Sequence, residues 1–237
     1  MIITTNNYTT GSAVSFVQSS TSHLAWKDSR RLAVLSVIDT NHVMASSAIP
    51  LLFSPIKIGN HFYGDGCVRN NTPCSPSLRM GADKIFVIGV RTQMKSENLN
   101  RPDNPIFTNS SPSIIRILNT LLNAVLLDSV EQDVHRINRI NQLVELAEDS
   151  LTQESFKKIP ALCISPSQDI SELARQQAHH LPRLIRMTIS TLGSLDEASE
   201  ILSYLLFEPN FCRKLIEMGY NDAIDSKKQI EEFFKEI

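Results

Sequence analysis

Five of the eight glycines in this 237-residue chain fall between Met44 and Arg91, at positions 59, 64, 66, 81 and 89. Glycine turns a backbone at the lowest steric cost, so this stretch must carry the sharpest changes of direction. A short helical piece stops at Pro50, because proline lacks an amide proton and disfavours helix at the residue before it. Ile56-Lys57-Ile58 reads as a strand, and Gly59-Asn60 as the two-residue pair that closes a hairpin. The return strand His61-Phe62-Tyr63 runs into Gly64-Asp65-Gly66, where a carboxylate lies between two residues free to take positive φ. Pro73 and Pro76 bracket the start of a short helix, and Gly81 ends it. Residues 85–90, Ile-Phe-Val-Ile-Gly-Val, are apolar and mostly branched, the pattern of a parallel strand covered on both faces.

Either side of this stretch the chain changes character. Residues 1–18 read as two short strands joined through a turn at Thr9-Thr10-Gly11. Residues 19–31, with the single Trp26, read as loop, and Asp39 or Thr40 is placed to cap a helix through Ala48. Residues 92–111 are polar, contain Pro102 and Pro105, and read as an exposed connector. Ser111-Pro112 then predicts an N-cap and a proline in the first helical position, opening a helix to about Glu148. Its apolar face steps through Leu127, Val130, Val134, Ile137, Ile140 and Val144, and its greasier first half is expected to be the more deeply buried. Residues 160–164 read as a brief strand or extended segment. Helices follow over about 169–192, 194–207, 210–218 and 226 to the end, with Gly193 and Gly219 as C-terminal caps and Ser194 and Glu197 as a capping box. The expected organisation is a strand-rich region, 1–91, a connector, 92–111, and a helical region, 112–237.

The residue content narrows the function. A net charge of -2 gives no basic footprint for nucleic acid. No apolar run reaches membrane-spanning length, since the best, 114–127, is interrupted by Arg116, Asn119 and Asn123. The first residues lack the basic and apolar regions of a secretory signal, so a cytoplasmic protein is the natural expectation, with peripheral contact to a membrane still open. Cysteines 67, 74, 163 and 212 show no paired spacing and read as free thiols. The adjacent pair His179-His180 points to different helical faces and reads as a surface pair, so no metal or other cofactor is expected.

Several fixed features stand in order: Ala45-Ser46-Ser47-Ala48-Ile49-Pro50, Phe53-Ser54-Pro55, Tyr63-Gly64-Asp65-Gly66, Asn71-Thr72-Pro73, and Gly81-Ala82-Asp83 before the 85–90 strand. In this order they resemble the second half of the patatin-like lipid acyl hydrolase domain. Residues 202–207 and 215–223 are similar to the helical tail that follows that domain in bacterial proteins of the family. The resemblance implies an α/β fold, the C-terminal part of a three-layer α/β/α domain followed by a mostly helical tail. It also implies a role for Asp65, in the motif Asp65-Gly66-Cys67, as the proton acceptor of a serine–aspartate pair, with a fatty acyl ester or phospholipid as substrate. The family has glycine or alanine where this chain has Cys67. From the residues alone Asp65-Gly66 is an ordinary turn, and Cys67 is a small apolar residue or, with an activating partner, a thiol nucleophile. Ser46 and Ser47 offer hydroxyls, although small residues at a helix end usually mean close packing, and Asn70 and Asn71 suit a turn.

Serine ester hydrolysis also needs a nucleophile and oxyanion donors. A G-x-S-x-G elbow requires two glycines four positions apart, and no two of the eight have that spacing. The single G-x-G, at Gly64 and Gly66, has Arg69 where a glycine-rich oxyanion turn would place its third glycine. In the family both missing parts precede the matched half. The expectation is therefore a downstream portion that is inactive alone and becomes lipolytic when an N-terminal half completes it. Residues 85–90 would then lack strand neighbours and promote association. The alternative is a non-catalytic remnant that binds a protein or a membrane surface, with the greasy 114–127 face as its candidate contact.

Overall fold

The computed structural model describes residues 1–20, 25–92, 111–126, 128–146, 157–194 and 197–235. The first elements are β1 (Ile2–Asn7), β2 (Ser12–Val17), β3 (Arg31–Leu35), α1 (Thr40–Ser46), β4 (Ile56–Ile58), β5 (His61–Asp65), α2 (Ser75–Arg79) and β6 (Ile85–Ile88). The remainder are α3 (Ile114–Leu126), α4 (Asp128–Leu146), β7 (Ala161–Ile164), α5 (Ile170–Gln176), α6 (Arg183–Leu192), α7 (Ser199–Leu205), α8 (Pro209–Asp225) and α9 (Lys227–Lys235). Mixed α/β content is therefore observed. The chain divides into two compact units, residues 1–86 with 128–161, and residues 87–127 with 162–237. This division differs from the one expected at residues 92–111, most of which lie outside the described residues, because α4 belongs with the strand-rich unit.

The first unit is built on a five-stranded mixed sheet of order β3-β2-β1-β5-β4. β1 and β2 form an antiparallel hairpin with Thr5 opposite Val14. At its turn Gly11 takes φ +64°, and the Asn7 side chain accepts from the Thr9 and Thr10 amides at 2.8 and 3.2 Å. β4 and β5 form the second hairpin, with Gly59 at φ +59°. β5 pairs antiparallel with β1, which sets Asp65 opposite Thr5. β3 lies parallel to β2, a strand that the sequence pattern does not mark. Its apolar run 32–35 is too short for periodicity to separate strand from helix.

Val14, Phe16, Ala45 and Tyr63 form the core, flanked by Leu32, Ile38, Ile56 and Ile58. α1 reaches the sheet closely through Ala45, with Ala48 buried just beyond its end. Asp39 caps α1, accepting from the amides of Asn41 and His42 at 2.9 and 3.2 Å. α4 buries Val134 and Ile137 as its pattern predicts, yet Ile140 is exposed and Asn141 faces inward. Asn141 donates to the Ile159 carbonyl at 2.8 Å and accepts from the Ile159 amide at 2.9 Å, taking the place of a strand neighbour.

β6 and β7 form a two-stranded sheet. The Ile85 amide donates to Pro160 and the Gly89 amide to Ile164, so the strands run in the same direction. Phe86 and Ile88 are exposed. The expectations of a strand covered on both faces and without a neighbour are therefore both corrected: alternate side chains face solvent, and the neighbour comes from residues 161–164.

In the second unit α5 packs against α7 and α8, and Leu202 and Phe211 are its most deeply buried large side chains. Several boundaries differ from the predicted ones. The expected helix over 112–148 is two helices, α3 and α4, and its last residues lie outside the described set. α3 is capped by Ser113, whose Oγ accepts from the Arg116 amide at 3.2 Å, rather than by Ser111. The helix expected over 169–192 is broken before Pro182, which cannot donate within a continuous helix. Gly219 sits inside α8 and does not end it. The capping box forms as predicted: the Ser194 amide donates to Glu197, and the Glu197 amide to Ser194 Oγ, both at 3.2 Å. Among the described residues no helix is long and apolar enough to cross a membrane.

Candidate active site

Asp65 stands at the end of β5, and its backbone amide donates to the Ala48 carbonyl at 3.0 Å, tying the strand to the end of α1. Its side chain turns back to accept from the Cys67 amide at 2.9 Å, which starts a single turn of 3₁₀ helix over Gly66–Val68. The residue is 8% exposed. Burial raises its pKa above the ordinary carboxylate value, and hydrogen bonds from the Cys67 amide and thiol only partly offset that rise. A carboxylate made more basic by its surroundings is suited to accept a proton near neutral pH, provided a hydroxyl is brought within reach.

Tyr8, which nothing in the sequence singled out, stands beside this carboxylate. Burial and then the charge of Asp65 raise the pKa of its hydroxyl. Tyr8 also explains Gly64, since a Cβ there would meet the Tyr8 hydroxyl at 2.5 Å. At Gly66 a Cβ would run into the backbone carbonyl of Thr4. Neither glycine has positive φ. The expectation that they serve conformational freedom is thus corrected. Gly66 is required because the β1 backbone lies too close to admit a side chain, while Gly64 leaves room for the Tyr8 ring.

The other candidates are already committed. Ser46 Oγ donates to the Thr4 carbonyl at 2.7 Å, fixing α1 to β1 beside Gly66. Ser47 Oγ donates back to Val43 and Met44 within its own helix. Close packing and local bonding therefore describe these serines. Burial, and then the charge of Asp65, push the Cys67 thiol up to about 12. The thiolate needed for nucleophilic attack is disfavoured at neutral pH, so a catalytic Cys67 is set aside. Thr72, in the Asn-Thr-Pro segment, accepts from Arg31 at 2.5 Å, which holds the loop after Asp65 against the start of β3.

Cys67, Cys74, Cys163 and Cys212 are free thiols. His179 and His180 are both exposed, their rings 4.1 Å apart. Among the described residues no three His, Cys, Asp or Glu side chains gather as a metal set. No protein-family model, curated protein or solved structure matches the chain.

Proposed function

We propose that these residues are the C-terminal portion of a patatin-like serine lipid acyl hydrolase, with Asp65 as the proton acceptor of its Ser-Asp pair. The observation that carries this reading is the buried, proton-avid carboxylate of Asp65, at the strand end where the ordered motif places it. The nucleophilic serine and oxyanion donors come from outside these residues, because no G-x-S-x-G occurs among them. Once a serine is brought against Asp65, its Oγ attacks the carbonyl carbon of a fatty acyl ester or phospholipid and its proton passes to the carboxylate. The leaving alcohol takes that proton, and water then releases the fatty acid. No metal or organic cofactor is needed for these steps. A chromogenic long-chain fatty acyl ester tests the first half of the proposal. The chain alone is expected to give no turnover that depends on Asp65, and hydrolysis lost in Asp65→Ala would contradict it.

A second reading, a non-catalytic module that binds a protein or a membrane surface in the cytoplasm, is favoured by one observation. Ile114, Ile117 and Leu121, at helical spacing along α3, are about half or more exposed. Co-sedimentation with anionic phospholipid vesicles tests the membrane form of this reading. Binding lost in Leu121→Glu supports it, and recovery of the chain only in the supernatant counts against it.

A further inference from the structure

The loop joining β3 to α1 holds a second arrangement of reactive groups, separate from Asp65. Ser36 follows β3, and its amide donates to the Val17 carbonyl at 2.9 Å, which fixes its backbone to the sheet. Its Oγ lies 3.3 Å from His42 Nε2 on the first turn of α1. His42 is 4% exposed. Its ring stands edge-on to Phe16 with centroids 4.5 Å apart, so packing locks its orientation. On the other side of the ring, Nδ1 lies 2.6 Å from Asp39 Oδ1.

Which nitrogen carries the proton decides what this cluster can do. His42 Nδ1 has two neighbours that demand opposite tautomers. It could accept from the Asp39 backbone amide at 3.2 Å, or donate to the Asp39 carboxylate at 2.6 Å. The second contact is shorter and charge-assisted, so it dominates. The carboxylate is kept ionised by the His42 ring and by the amides of His42 and Asn41. A proton on Nδ1 leaves the Nε2 lone pair directed at Ser36. Ser36 Oγ has one competing acceptor, the Val37 carbonyl at 3.2 Å, and its hydroxyl rotates between the two.

Helix capping accounts for the Asp39 carboxylate, which accepts from the Asn41 and His42 amides. It demands nothing of Nε2 or of Ser36. Ser36 is half-buried, and its neighbour Val37 is 81% exposed, so a small reactant can approach from solvent.

We propose that Ser36, His42 and Asp39 form a nucleophilic centre that accepts acyl groups from small activated esters. Ser36 Oγ bonds to the acyl carbonyl carbon while its proton moves to His42 Nε2. The ester C–O bond breaks, and the departing alcohol takes that proton. Water then adds to the acyl carbon with His42 as base, which releases the carboxylic acid and restores the serine. Asp39 touches no substrate; it is a positioning residue that holds the imidazole and its Nδ1 proton. The centre is independent of Asp65 and works without any added segment.

The test uses the full chain with 4-nitrophenyl butyrate and, separately, a fluorophosphonate probe, followed by peptide mass spectrometry. The expected result is a covalent adduct on the peptide carrying Ser36, absent in Ser36→Ala and unchanged in Ser47→Ala, whose hydroxyl is tied to helix carbonyls. His42→Gln removes the imidazole and should slow labelling about 100-fold. Asp39→Asn retains a good capping residue and decides the matter should His42→Gln not fold. It should slow labelling at least tenfold, a loss that a purely structural Asp39 would not produce. Absence of an adduct on Ser36, or labelling equally fast in the His42 and Asp39 variants, overturns the proposal.

Discussion

At the scale of single residues, burial makes Asp65 basic and also makes it costly. Because its folded pKa is raised, the folded chain binds the Asp65 proton more tightly than the unfolded chain does. The sign follows. Stability from this group is fully present below the unfolded carboxylate value and is lost as pH rises through the folded one. Asp65→Asn removes the charge and retains an acceptor for the Cys67 amide. Near neutral pH it is expected to stabilise the chain by about 1 kcal/mol, a gain that vanishes on acidification below the ordinary carboxylate range. Urea unfolding of both proteins at about pH 8 and about pH 3 checks this. An unchanged midpoint at the higher pH would mean that the carboxylate is not destabilised by its surroundings. The two glycines beside it make a second comparison. In Gly66→Ala the new methyl meets the Thr4 backbone, which cannot move without shifting β1, and a cost of about 2–3 kcal/mol is expected. Gly64→Ala meets the far end of the partly exposed Tyr8 ring, which can swing away, so its cost should stay below about 1 kcal/mol. Equal costs for the two would contradict the close-packing account. The sequence exposed the glycines and the aspartate but not which groups crowd the glycines. Tyr8 and Thr4 approach only once β1 and β5 are paired, and nothing local marks that pairing.

At the scale of elements, hydropathy located the two hairpins of the first unit, β1–β2 and β4–β5, because turn residues punctuate them at Gly11 and Gly59, but it missed β3. It failed on the long helices for a physical reason. In α3, Asn119 and Asn123 interrupt an apolar run, and they read as breaks on a greasy surface. Instead Asn119 is 8% exposed while Ile117 and Leu121 face outward. The Asn119 amide group donates to the Glu197 carbonyl at 2.7 Å and accepts from the Ile201 amide at 3.2 Å, serving the backbone at the start of α7. Asn141 does the same for Ile159 from α4. A buried amide that satisfies a distant peptide is invisible to a scale that counts it only as polar. Asn119→Ala is therefore expected to cost about 1–3 kcal/mol, since it leaves a buried peptide group without its partner. Ile117→Ser, on the outward face, should change stability by no more than about 0.5 kcal/mol. Chemical denaturation of the two variants separates the inward-amide arrangement from the apolar-inward one, which predicts the reverse order.

At the scale of the whole molecule, the chain supplies a carboxylate, a sheet that holds it and a helical unit, while its sequence carries no nucleophile elbow. The ordered motif from Ala45 to Asp83 singles out Asp65 as a candidate from the order of residues alone. The division into two units is not legible in that way, because α4 sits in the strand-rich unit through contacts such as Cys74 amide to Asp133, 2.9 Å, that link residues far apart in sequence. The central claim is that Asp65 is a proton acceptor awaiting a serine. It is tested most directly by fusing ahead of Met1 a segment that carries a glycine-rich turn and a G-x-S-x-G elbow, and measuring release of free fatty acid from a phospholipid. The prediction is turnover by the fusion that falls at least 100-fold both in Asp65→Asn and on replacement of the elbow serine by alanine. Turnover that survives Asp65→Asn, or no turnover from a folded fusion, would contradict it.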